Sequence, residues 1–92
     1  MNSPREQIQI DLVKWLNDHS EDYNAPYGVI PEMESLPKGG KVRTVTFGVA
    51  RYLDATAIIW SPKQITVRAR GALAYKFTGT FNSLAELIAV ME

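Results

Sequence analysis

Two copies of one helix-start signature bracket this chain, and the long stretch between them alternates with a period of two. Ser3-Pro4-Arg5-Glu6 and Ser83-Leu84-Ala85-Glu86 both read Ser-x-x-Glu. In such a capping box the serine hydroxyl accepts the N–H three residues on, and the glutamate reaches back toward the start of the helix. Pro4 strengthens the first box, because its missing N–H would have had no partner at that position. The spacing predicts one helix over 4–19 and another over 83–92. A chain so punctuated has to place its β-structure between two terminal helices.

The first helix carries an apolar stripe at Ile8, Leu12, Trp15 and Leu16, which His19 continues. Ile10 and Val13 sit off that stripe and form a second apolar spot, a candidate for self-association or partner contact. In the last helix Leu84, Leu87, Ile88 and Met91 make a stripe that needs a sheet to cover it.

Between the helices, residues 20–41 read as an irregular Pro-rich loop. Pro26, Pro31 and Pro37 break helix and central strand alike. Tyr27-Gly28-Val29-Ile30 offers a short edge strand, and Lys38-Gly39-Gly40-Lys41 reads as a flexible turn. Residues 42–79 then read as sheet. Val45, Phe47 and Val49 alternate with Thr44 and Thr46, while Ile65, Val67 and Ala69 alternate with Thr66, Arg68 and Arg70. Leu73, Tyr75 and Phe77 alternate with Ala72, Ala74, Lys76 and Thr78. The stretch 55–60 is the most apolar and is expected at the centre, with either Ile58 and Trp60 or Ala57 and Ile59 on the open face. The expected fold is α+β in one domain over 1–92. It is a four-stranded antiparallel β-meander with N-terminal and C-terminal helices packed on one face, in the order α-β-β-β-β-α.

Charge is sorted along the same segments. Residues 1–37 hold seven acids against two bases, a net −5. Residues 38–76 hold eight bases against Asp54 alone, a net +7, and the remaining tail holds Glu86 and Glu92, a net −2. Two readings follow. Either acidic and basic elements face each other inside the fold, or the sheet presents a basic surface to an anionic partner. The second reading selects Arg68, Arg70 and Lys76 on the open face, with Lys63, Lys38 and Lys41 in turns. Trp60 or Tyr52 would supply a ring on which a base stacks.

No motif names a reaction. The 38–41 glycines lead into a strand rather than a helix and lack phosphate-loop spacing. His19 is the one histidine, and a lone histidine does not make a metal site. The chain has no cysteine, which excludes disulfides and thiolate metal sites and fits a cytoplasmic protein. No metal, no cofactor and no membrane contact is expected. The chain is read as a small non-catalytic binding module whose anionic partner could be nucleic acid. The alternative is a protein–protein adaptor or inhibitor acting through the acidic first helix, with a homodimer as one form of that contact.

Overall fold

The computed structural model describes residues 3–19, 29–49, 53–69 and 78–91. Helix α1 spans Pro4–Asp18 and is followed by strands β1 (Val29–Ser35), β2 (Lys41–Val49), β3 (Leu53–Ser61), β4 (Gln64–Ala69) and β5 (Gly79–Phe81). Helix α2 spans Leu84–Met91. The sheet order is β1-β2-β3-β4-β5, and every neighbouring pair is antiparallel.

Both helix starts form as their signatures predict. Ser3 Oγ accepts the Glu6 N–H at 3.2 Å, and Ser83 Oγ accepts the Glu86 N–H at 3.2 Å. Glu86 closes its box by accepting the Asn82 N–H at 2.7 Å, one residue ahead of the cap. Glu6 instead turns toward the sheet, where it lies 3.8 Å from Arg43.

The core is one cluster between the helices and one sheet face. Leu12 and Leu16 from α1 and Leu87 and Met91 from α2 pack on Val45, Phe47, Ala55, Ala57, Ile59, Ile65 and Val67. Both helices therefore cover the same face, as expected, and the parity of β3 is settled. Ala57 and Ile59 face inward, while Ile58 and Trp60 face away. A register shift between Ile59 and Ser61 sets Trp60 in an irregularity at the end of β3.

Two expectations change, and a third lies outside the described residues. Residues 29–35 are not irregular but form a full edge strand paired along β2 from Val29↔Phe47 to Ser35↔Lys41, longer than the short edge strand that 27–30 offered, so the described residues hold five strands. The last strand is Gly79–Phe81, and the expected strand residues 72–77 lie outside the described residues. Thr44 belongs to the face away from the helices but is only 1% exposed, and Val42 on that face is also buried. That face is therefore not uniformly wet.

Antiparallel alternation places the β1–β2 hairpin and the β3–β4 turn at the same end of the sheet. Arg5 Nη1 donates to the Lys41 carbonyl at 3.1 Å, which brings the start of α1 to that end. Phe81 pairs with Ile65 just before α2 begins, so α2 starts there too.

Candidate functional site

The open face follows from the pairing register. One row across the sheet runs Ile30, Thr46, Thr56, Arg68, and the next runs Glu32, Thr44, Ile58, Thr66, Thr80. Threonine dominates because a β-branched side chain suits a pleated surface and its hydroxyl can bond across strands. Thr66 and Thr80 hydroxyls lie 3.2 Å apart, and Thr46 and Thr56 hydroxyls 3.5 Å apart.

Trp60 lies on this surface at 36% exposure, and its Nε1–H donates to Thr66 Oγ1 at 3.0 Å. The bond ties the indole to the neighbouring strand and satisfies its only polar group. The ring thus stays partly open to solvent while its orientation is held. Arg68 is exposed beside Thr56 in the adjoining row. Four residues separate Thr56 from Trp60 along β3, about 13 Å at strand rise. Ile58 and Thr66 fill the space between.

The structure brings some of the selected bases together and leaves others out. Lys63 is exposed in the β3–β4 turn, next to the Trp60 end of the face. Lys38 is exposed in the β1–β2 hairpin at that same end. Lys41 is exposed there as well, but its pairing with Ser35 gives it the parity of Arg43, on the helix side of the sheet. Arg5 joins this end through its bond to the Lys41 carbonyl, which sequence reading had not singled out. Arg70, Lys76 and Tyr52 lie outside the described residues. Among the described residues the one ion pair is Arg43 with Glu6, so Lys38, Lys41, Lys63 and Arg68 have no described carboxylate partner.

The same face also carries acids that sequence reading had assigned to a loop. Glu32 and Glu34 sit on β1 with the parity of Thr44 and Val42. Three strand spacings separate β1 from β4, about 14 Å. That exceeds the Debye length of roughly 8 Å at physiological salt, so these acids do little to neutralise Arg68. The face is therefore acidic along one edge and basic on the far side.

On α1, Val13 is half-buried against the core, whereas Ile10 is 44% exposed on the outer surface. His19 is exposed at the helix end, where its ring stacks on Trp15 with centroids 3.9 Å apart, and its Nδ1 lies 2.8 Å from the Trp15 carbonyl. A carbonyl only accepts, so Nδ1 carries the proton in that contact. Among the described residues no three His, Cys, Asp or Glu side chains are grouped so as to hold a metal. No helix among them is long and apolar enough to cross a membrane. No family model matches this chain, and neither a characterised protein nor a solved structure matches it.

Proposed function

We propose that this protein is a non-catalytic binding module for an anionic partner, and that the partner is single-stranded nucleic acid lying on the β3–β5 side of the open face. The observation that supports this most directly is Trp60, an exposed ring anchored by Thr66, with Lys63 in the adjoining turn and Arg68 farther along the same face. An aromatic platform beside cations is how sequence-tolerant single-strand binders work, with bases on the ring and phosphates on the charges. Exposed Thr80 and the partly exposed Thr56 and Thr66 add hydroxyl donors and acceptors along the same path. The acidic β1 edge steers the strand away from β1. Lys38 and Lys41 extend the positive potential around the hairpin end. A chain without cysteine suits the reducing cytoplasm, where such partners are found.

Fluorescence anisotropy with a labelled oligothymidine at low and moderate salt tests this reading. Binding should weaken steeply with salt and should be reduced by both Arg68→Ala and Trp60→Ala. Absence of binding at low salt overturns it.

A second reading draws on Ile10, which is exposed on the outer face of α1 between Gln7, Asp11 and Lys14. It makes α1 a contact for a protein partner or for a second copy. That association would tolerate salt and be lost in Ile10→Asp.

A further inference from the structure

The outer edge of β1 has a definite hydrogen-bonding parity, which two independent contacts fix. The Leu36 N–H donates to the Gly40 carbonyl at 3.0 Å, continuing the β1–β2 register into the hairpin. Gln9 Nε2 donates both to the Glu32 carbonyl at 3.0 Å and to the Thr44 carbonyl at 2.9 Å. Glu32 and Thr44 are register partners, and one nitrogen can bridge their carbonyls only if both point into the gap between the strands. The even-numbered residues of β1 therefore turn their backbone groups to β2. Val29, Pro31, Met33 and Ser35 turn theirs to the free edge. Pro31 thus gives up no bond of the sheet, and the edge offers the N–H and C=O of both Met33 and Ser35.

No described strand lies beyond β1, and its residues from Ile30 to Ser35 are all exposed. A second copy of this chain is a poor occupant. Antiparallel self-pairing centred on Glu32, on Met33 or on Glu34 sets a carboxylate against a carboxylate, which is unfavourable. The same arrangement suits a strand with cations at alternating positions, since Glu32 and Glu34 project from one face and have no described cation partner.

We propose that β1 is a docking edge for an extended basic segment of another protein, which adds to the sheet by pairing with Met33 and Ser35 and sets lysine or arginine opposite Glu32 and Glu34. Strand addition of this kind takes affinity from the main chain and specificity from alternate side chains. This surface lies at the opposite edge from the nucleic-acid path and does not depend on it.

The test is titration of the isotope-labelled protein with a short acetylated peptide alternating lysine and valine, followed by amide NMR spectra. A glutamate–valine peptide serves as control. The expected result is that the Met33 and Ser35 amides shift and gain protection from exchange with the basic peptide, and that the acidic peptide binds about tenfold or more weakly. Met33→Pro removes an outward N–H and no sheet bond, so it should abolish peptide binding while the rest of the spectrum stays folded. Glu32→Lys with Glu34→Lys should invert the peptide preference. Equal binding of both peptides, no binding, shifts confined to other strands, or concentration-dependent self-association through β1 would each overturn the proposal.

Discussion

Gln9 and Arg43 meet at the junction of helix and sheet, with Arg43 Nη1 donating to Gln9 Oε1 at 2.9 Å while the Gln9 amide nitrogen donates to two strand carbonyls. Gln9 is one of the few buried polar side chains, and every polar atom it has is used. It ties α1 to β1 and β2 at once. A buried amide so satisfied is specific about register, because any slip of the helix leaves donors and acceptors unmatched.

Gln9→Ala should therefore cost about 2 kcal/mol, since it leaves the half-buried Arg43 without its main acceptor. Gln7→Ala, on the exposed side of the same helix, should change stability by less than about 0.5 kcal/mol. Urea unfolding of the two variants measures the difference. Equal effects would mean that the network does not hold the helix.

The apolar residues of α1 should separate in the same way. Leu16 is fully buried, and Leu16→Ala should cost about 2–5 kcal/mol through lost contacts and an incompletely closed cavity. Ile10→Asp should leave the thermal midpoint of the monomer nearly unchanged, because Ile10 faces outward.

The β1–β2 hairpin depends on Gly39 and Gly40, with φ of 93° and 83°. Open space surrounds both, so the cost of a side chain is conformational rather than steric crowding from neighbours. Gly40→Ala should destabilise the protein by about 1 kcal/mol or more, readable as a lower urea midpoint with unchanged slope.

At the second helix, Ser83→Ala should cost about 1 kcal/mol by removing the acceptor for the Glu86 N–H. Calorimetry should show a lower midpoint, and hydrogen exchange should quicken in the first turn of α2.

Much of the fold was legible because local signals and global pattern agreed. The Ser-x-x-Glu boxes marked both helix starts, and alternation around Val45, Phe47, Ile65 and Val67 marked the buried face. Only the start of strand β1 was legible. Pro31 and Pro37 read as breakers, and Glu32, Met33 and Glu34 show no buried periodicity because the strand is an exposed edge. An edge strand can hold proline at an outward position, which only the pairing parity reveals. Gln9 was overlooked although it lies three residues before Leu12, in line with Leu16, because a glutamine on a stripe is usually solvated. The candidate site was legible in kind but not in extent. Period two left both parities of the central strand open, and only the pairing register puts Trp60 on the face of Arg68. The acids on that face became visible only when β1 took its place in the sheet.

Stacking of bases on the sheet can be read from Trp60 directly. Trp15→Phe leaves Trp60 as the sole tryptophan, which excitation at the red edge of the absorption band selects over the tyrosines. Titrating this variant with oligothymidine should quench the Trp60 emission as bases stack on the ring. With Arg68 and Lys63 contributing, affinity should fall about sevenfold between 50 and 200 mM salt. Unchanged Trp60 emission at low salt with excess oligonucleotide would mean that no base stacks on this ring.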